Sequence, residues 1–373
     1  GPQPGHIWVV AARLNVGKMA RNSTLVSTPN GWKRHGDLVV GDTVTGSDGR
    51  PTKVIATYPH YQERIYRVTF RDGRTVDCGA DHLWTTRCGS KPWKVRTTAE
   101  IMQWLADGKQ RLSIPTLSGP VRYHGEEQRT HSLYNPYLMG LLLGDGHLGR
   151  NGVTFTKNDP ELVEGWGRNA VLRPGQGSRG DSYYIRRLVP TMERYGLIGK
   201  RSWEKFIPEV YKFAGPGARH ALLQGLLDTD GGLGGGANSV EYSTTSDQLA
   251  YDVREIVESL GGYATMHRRQ TYYTHNGEKR AGRPSWRMII SLPNEYPPFR
   301  LKRKADGYKP YVRRLWPSRS IVSVEALDEY EDMQCITVDN PDSLYCLEGG
   351  ILTHNSWAMM RMATAAIMDG YAV

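Results

Sequence analysis

The stretch Leu352-Thr353-His354-Asn355-Ser356 decides how the chain is organised, because it has a partner far upstream. When residues 19–355 are left out, Val9-Val10-Ala11-Ala12-Arg13-Leu14-Asn15-Val16-Gly17-Lys18 runs directly into Ser356-Trp357-Ala358-Met359. The joined sequence predicts an apolar strand, a loop of the form A-x-x-x-x-G-K-S and a helix. This is the pattern of a phosphate-binding P-loop with Ala in its first position. A split loop that excision restores predicts a host-insert-host order in which the insert removes itself.

Composition limits the class of protein. With 373 residues the chain can form two or three domains, and 39% hydrophobic residues are enough for real cores. A net charge of +10 favours a polyanionic partner such as nucleic acid, although a basic surface without a specific partner gives the same total. The cysteines lack the paired spacing of zinc sites and predict a reduced, cytoplasmic protein. We see no signal peptide and no apolar run of spanning length, so we expect no membrane partner.

Changes in sequence pattern predict a β domain that is interrupted by an α/β domain. Short apolar runs such as Leu38-Val39-Val40, bounded by turn residues, predict strands in the β segments. The basic residues 301–317 predict a linker. The predicted segments are 1–18 (host), 19–118 (β), 133–300 (α/β), 318–355 (β) and 356–373 (host). The host segments are too short to bury a core, so we expect no ATP hydrolysis.

A weak internal repeat lies in the α/β segment. Its two copies are Tyr137-Leu138-Met139-Gly140-Leu141-Leu142-Leu143-Gly144-Asp145-Gly146 and Leu222-Leu223-Gln224-Gly225-Leu226-Leu227-Asp228-Thr229-Asp230-Gly231. Each predicts an apolar helix with an internal glycine, ending in an acid followed by glycine. One such turn alone could be a helix cap, whereas two copies predict a paired structure.

The predicted insert resembles the inteins, which are self-splicing protein inserts of the horseshoe-shaped, mainly β Hint fold. Ordinary inteins begin with Cys or Ser, whereas this insert begins with Met19. Most inteins carry a late strand that reads Tyr-Asp-Leu-Thr-Val, and here Gln334-Cys335-Ile336-Thr337-Val338 has Cys in the Asp place. Upstream, Cys78-Gly79-Ala80-Asp81-His82-Leu83-Trp84 matches the T-x-x-H block, with Gly79 in the Thr position. With Thr353, this set resembles class 3 inteins, which lack an N-terminal nucleophile and are typified by inserts in phage helicases of the DnaB type.

The resemblance implies how cleavage of the first junction proceeds. The Cys335 thiolate attacks the Lys18 carbonyl, breaks the bond to Met19 and forms a branched thioester. A thiol suits this step because roughly a few per cent of an unperturbed thiol is ionised at pH 7. His82 is the implied proton donor to the Met19 nitrogen, and Trp84 and Thr353 complete the class signature. Gly79 removes the hydroxyl that other inteins place near the scissile carbonyl.

The remaining steps concern the second junction. The Ser356 hydroxyl takes the upstream segment from the thioester. The Asn355 side chain then cyclises and releases the insert, with His354 polarising the carbonyl. The resulting ester rearranges to a Lys18-Ser356 peptide bond. Splicing of this kind needs no cofactor, and the host helicase would assemble as an oligomer only afterwards.

The two repeats resemble the LAGLIDADG homing endonucleases, in which paired helices pack through small residues, here Gly140 and Gly225. The resemblance implies that Asp145 and Asp230 bind Mg²⁺ and that Lys205 is the basic residue near the site. Two repeats in one chain imply a monomer that cuts double-stranded DNA at the intein-free helicase gene. Further basic residues would suit phosphate contacts, although each is equally consistent with a solvated surface: Arg268, Arg269, Lys279, Arg280 and Arg287.

Two other interpretations stay open. The chain could be a DNA-binding homing endonuclease whose splicing domain is inactive. It could also be a P-loop helicase fragment with an ordinary insertion, although no further ATPase motif is present. Taken singly, Cys335, Trp84 and His82 would each be ordinary core residues, and only their joint placement favours a site.

Overall fold

The structure, a computed structural model, describes residues 19–156, 159–174, 182–235, 237–275, 277–310 and 318–354. The described residues form two compact units. The first contains the residues up to Thr116 and those from Ser318 onward, and the second begins at Leu117 and ends before Ser318. Lys18, Asn355, Ser356 and the rest of the restored P-loop lie outside the described residues.

Strands form most of the first part of the first unit, because its apolar residues alternate with polar ones and are separated by glycine turns. The elements are β1 (Ala20–Arg21), β2 (Leu25–Thr28), β3 (Gly31–Arg34), β4 (Thr43–Thr45), β5 (Pro51–Phe70), β6 (Thr75–Cys78), β7 (Leu83–Cys88), β8 (Lys94–Thr97), α1 (Thr98–Ala106) and β9 (Leu112–Pro115). Helix α1 begins at a capping box in which the Thr97 side chain and the Glu100 side chain each accept the other residue's backbone N–H.

The predicted strand at Leu38-Val39-Val40 is wrong. Val39 and Val40 lie outside any strand and are 58% and 60% exposed. The backbone N–H of Val39 donates to the Asp42 carboxylate at 2.8 Å, and Gly41 follows with φ of +96°. A local side-chain acceptor and a left-handed glycine therefore make a turn here in place of a strand.

The second unit combines helices and small antiparallel sheets. Its elements are α2 (Glu126–Ser132), α3 (Pro136–Asp145), β10 (Gly146–Gly149), β11 (Gly152–Phe155), α4 (Pro160–Val163), β12 (Ala170–Arg173), β13 (Ser182–Ile185), α5 (Val189–Arg194), α6 (Glu209–Lys212), α7 (Pro216–Asp230), β14 (Gly231–Leu233), β15 (Val240–Thr244), α8 (Asp247–Ser259), β16 (Tyr263–Arg269), β17 (Tyr272–His275), β18 (Glu278–Ala281), β19 (Ser285–Ser291) and α9 (Lys302–Ala305).

The second unit is built from two halves with the same topology. In the first half, α3 leads into a sheet of order β10-β11-β13-β12, and in the second, α7 leads into a sheet of order β14-β15-β19-β16. In each of these two sheets the third member along the chain lies at the edge and the fourth member lies inside. One continuous apolar core contains residues from both helices and both sheets. The repeat seen in the sequence is therefore a structural repeat.

The chain then returns to the first unit. The last strands are β20 (Ser318–Val338), β21 (Leu344–Leu347) and β22 (Ile351–His354). Strand β20 pairs antiparallel with β1, β5 and β9, and a second sheet has the order β22-β21-β2-β3. Strand β20 thus completes a sheet begun near residue 19.

The edges of the second unit differ from the predicted segments. Val121 N–H donates to the Ser259 carbonyl at 2.8 Å, so residues before 133 already belong to this unit. Residues 302–305 form α9 in the same unit, where the sequence predicted a linker. Among the described helices, none has the length and apolar character needed to cross a membrane.

Candidate functional sites

Strand β1 places the predicted first junction between two other strands. Ala20 pairs with Gln334 on β20 and with Cys78 on β6. Continued by one residue, the register puts Met19 between Cys335 and Gly79, and the Gly79 N–H donates to the Met19 carbonyl at 3.1 Å. Met19 and Cys335 are both buried and belong to one apolar cluster. The geometry therefore brings the proposed nucleophile beside the residue whose bond it would break.

His82, which directly precedes β7, and Trp84 on β7 lie together where β7 packs against β22, the strand that contains Thr353. The two rings meet edge to face with centroids 5.0 Å apart, and His82 Nε2 shares a hydrogen bond with the Thr353 hydroxyl. All three side chains are fully buried. The His82 backbone N–H donates to the Gly79 carbonyl at 3.2 Å, which links this group to the junction strand.

Thr98, which the sequence did not single out, holds this group in place. Its hydroxyl accepts from Trp84 Nε1 at 3.0 Å and donates to the His82 carbonyl at 3.2 Å. The Cys78 thiol lies 3.3 Å from the same hydroxyl. Burial raises the pKa of Cys78 to about 12, which keeps this thiol protonated and unreactive. A threonine at a helix start carries no sequence signal for such a role.

A second buried histidine lies near the C-terminal strand. His35 Nε2 and the Tyr345 hydroxyl are 2.8 Å apart, and Tyr345 pairs with Thr353 across β21 and β22. Burial lowers the pKa of His35 to about 4, so this imidazole is neutral. His354, the proposed helper of Asn355, ends β22 and is half-buried.

Helices α3 and α7 meet at the predicted glycines. A Cβ atom on Gly140 would lie 2.9 Å from the Gly225 Cα, and a Cβ on Gly225 would lie 2.9 Å from the Gly140 Cα. Each added Cβ would also overlap a carbonyl oxygen of the facing helix. Only glycine at both positions allows the backbones to approach this closely.

Asp145 and Asp230 end these two helices and line the same cleft of about 420 Å³. Lys205 lines it too and is 4% exposed. Its ammonium donates to the carbonyls of Leu142, Gly144 and Gly146 at 2.8–3.0 Å. Burial lowers the pKa of Lys205 to about 8, against the opposing effect of the two carboxylates. The structure therefore brings the three predicted residues together.

Lys304 is the counterpart of Lys205 in the second half, and its role was not predicted from the sequence. Its ammonium donates to the carbonyls of Leu227, Asp228 and Gly231 at 2.7–2.9 Å, at the end of α7. The buried Asp228 carboxylate accepts the backbone N–H groups of Arg300 and Leu301, which fixes the segment before α9. The available signal was a lysine that follows the fourth member of the four-stranded sheet in both halves.

The remaining basic residues differ in their surroundings. Arg287 pairs with Glu241 through two nitrogens and is therefore partly neutralised. Arg280 lies 3.1 Å from Glu278, and Arg268 lies 3.7 Å from Asp247. Lys279 stacks over the Tyr272 ring at 4.6 Å. Arg269 lines the cleft of the two acids.

The donor set of the cleft suits a hard divalent cation. Two carboxylates at converging helix ends can supply oxygen ligands, and DNA phosphates and water can complete the shell. Within the described ranges, no three His, Cys, Asp or Glu side chains form a group that could hold a metal without such help.

Comparison with known proteins finds one family model that matches part of the second unit. A model described as LAGLIDADG-like domain matches residues 218–294, which include most of α7, all of α8 and the sheet of the second half. The replicative DNA helicase DnaB of Mycobacterium intracellulare is 31% identical over 93% of this chain. The chain spans 60% of the length of that relative.

Solved structures give further similarities. The crystal structure of the MchDnaB-1 intein is 37% identical, with 22% of this chain and 60% of that chain covered and a TM-score of 0.20. The structure of I-DmoI with DNA and Ca is 14% identical, with 42% and 82% covered and a TM-score of 0.28. These TM-scores are too low to carry an argument. The observed topology confirms the predicted architecture, a mainly β unit interrupted by an α/β unit with two pseudo-symmetric repeats, and the family model supports the LAGLIDADG type of the second unit.

Proposed function

We propose that the chain is an intein that excises residues 19–355 and carries a site-specific DNA endonuclease in its second unit. The observation that supports splicing is the antiparallel pairing that sets Met19 beside Cys335. Similarity to a DnaB helicase along most of the chain supports a helicase host. The P-loop insertion site and the phage origin stay predictions.

In the first step, the Cys335 sulfur bonds to the Lys18 carbonyl carbon while the bond to the Met19 nitrogen breaks. The thiol proton leaves through a nearby base, and the Met19 nitrogen gains a proton from His82. The contact of His82 with Thr353 fixes the direction of the imidazole, and Trp84 packs on its side. Because all partners belong to one folded unit, attack is intramolecular and gains from proximity.

In the second part of the route, the Ser356 hydroxyl displaces the Cys335 thiolate and takes the upstream segment as an ester. The Asn355 side-chain nitrogen then attacks its own carbonyl and breaks the bond to Ser356. His354, at the end of β22, donates to that carbonyl. The free amine of Ser356 finally attacks the ester and leaves a Lys18-Ser356 peptide bond.

Intact-mass analysis of the full chain in reductant at neutral pH tests the splicing proposal. We expect ligated flanks and a free fragment of residues 19–355, both absent from Cys335→Ala. Cys88→Ala is the matched control, because Cys88 is also a buried thiol but lies on β7 and donates to the Gln110 side chain. Splicing that continues in Cys335→Ala would refute the nucleophile. An unchanged precursor in every variant would favour an endonuclease with an inactive splicing unit.

The second unit is proposed to cut double-stranded DNA as a monomer at the intein-free helicase gene. The supporting observation is that the acids of two glycine-packed helices line one cleft. Asp145 and Asp230 would hold Mg²⁺, which when bound stabilises charge on phosphate oxygens. Lys205 and Lys304 each fix the carbonyl groups at the end of one helix, and so hold the neighbouring carboxylate in place.

Cleavage of a plasmid that carries the uninterrupted helicase gene tests this proposal. Asp145→Asn and Asp230→Asn should each abolish double-strand cuts, while Asp107→Asn, at the end of α1 in the first unit, should not. Double-strand cleavage by Asp145→Asn and Asp230→Asn at the rate of Asp107→Asn would contradict the assignment of the two acids. Loss of cutting on Mg²⁺ removal, restored by its return, would support the metal requirement.

A further inference from the structure

We propose that the Met19 side chain is an anchor that holds the first junction in line with Cys335, and that the missing side chain of Gly79 creates the space for it. This inference rests on the proposed splicing function and deepens it. It assigns a positioning role to a residue that supplies no nucleophile of its own.

The backbone around the junction is fixed from both sides. Strand β1 lies between β6 and β20, with Ala20 opposite both Cys78 and Gln334. The Gly79 N–H donates to the Met19 carbonyl at 3.1 Å, so this pairing reaches the first residue of the insert. The bond under attack, between Lys18 and Met19, directly precedes this residue.

The side chain of Met19 is held as firmly as its backbone. It is 2% exposed and packs in a cluster with Ile65, Met333 and Cys335. Opposite residues on antiparallel strands project to the same face, so Met19 and Cys335 share that face with Gly79. Methionine is unbranched and fits irregular spaces of this kind.

Gly79 is explained by sterics and not by backbone conformation. Its φ angle lies outside the left-handed region, so other residues could adopt this backbone. A Cβ atom would, however, lie 3.0 Å from Met19 Cγ and 3.1 Å from Met19 Cε. The residue that replaces the usual threonine of inteins is therefore matched to a bulky first residue.

A size-swap experiment tests the anchor. The rate of thioester formation is measured on the full chain as thiol-induced cleavage before Met19. Gly79→Ala and Met19→Ala should each slow it about tenfold to hundredfold, because small misplacements of reacting atoms have effects of that order. Combining Met19→Ala with Gly79→Ala should recover part of the loss, since the new methyl group occupies vacated space. Met19→Leu keeps the volume and should stay near the unchanged rate.

Cyclisation of Asn355, followed as cleavage before Ser356, separates positioning from damage to the fold. It does not use Met19 and should keep its rate in each variant. Gly217→Ala is the control for a glycine change, because a Cβ there meets nothing within 4 Å. Unchanged thioester formation in both single variants, or an equal fall in both cleavages for Gly79→Ala and Met19→Ala, would overturn the anchor. Thiol-induced cleavage that persists in Cys335→Ala would overturn the proposed nucleophile, and this inference with it.

Discussion

Alanine in place of Gly225 is expected to force α3 and α7 apart. The added Cβ would lie 2.8 Å from the Leu141 nitrogen and 2.9 Å from the Gly140 Cα. Both neighbours are backbone atoms of a buried helix, which cannot move aside as a side chain can. Overpacking of this kind costs about 1–3 kcal/mol, and the upper end applies here.

Helix propensity acts in the opposite direction. Alanine is favoured over glycine inside a helix by about 1 kcal/mol, so the net loss should be about 2 kcal/mol. For a unit of this size, that loss lowers the melting temperature by about 4–8 °C. The acids at the helix ends would also move relative to each other, so DNA cleavage should fall at temperatures where the unit stays folded.

Calorimetry and plasmid cleavage on the same samples measure both effects. Gly217→Ala is the matched control, because it lies in the same helix, in open space. It should leave cleavage unchanged and raise stability slightly or leave it unchanged. If Gly225→Ala has the same melting temperature as Gly217→Ala and cuts DNA equally well, close packing of the two helices does not position the acids.

Three further outcomes follow from polar side chains of the two sites. Thr98→Val leaves the Trp84 indole N–H without its acceptor, at a cost of about 1–3 kcal/mol in stability, and should slow splicing. Thr98→Ser keeps the hydroxyl and should not slow it. Equal splicing rates in the two variants would contradict the positioning role. Lys304→Met should slow one of the two strand cuts, so that nicked plasmid accumulates. Lys302→Met changes an exposed lysine of the same helix and is the control. Loss of both cuts together in Lys304→Met would count against separate roles for Lys205 and Lys304. The pKa of Lys205 is lowered to about 8 from 10.5, so between these pH values the unfolded chain holds a proton that the folded chain has released. Stability relative to Lys205→Met should therefore rise across that range, and a constant difference in urea midpoints would refute the shift.

The fold class could be predicted because its signals are local. Glycine turns between alternating residues mark strands, and two copies of one helix pattern mark a repeated unit. Val39 and Val40 show where this fails, since an apolar run was overridden by a turn that depends on the Asp42 side chain. The extent of the second unit was also misjudged, because α9 is short and polar and is identified only by what it packs against.

By itself, the sequence predicted the order of segments, the glycines of the helix pair and the candidate side chains of both sites, since each lies inside a contiguous motif. Only the tertiary structure decided which distant residues stand next to them. Lys304 reaches the end of α7 because the buried Asp228 holds the preceding backbone. Met19 lies beside Gly79 because β1 pairs with two strands that are far away in sequence. Contacts of this kind depend on strand register and helix approach, which are set by packing across the whole unit and not by any single stretch.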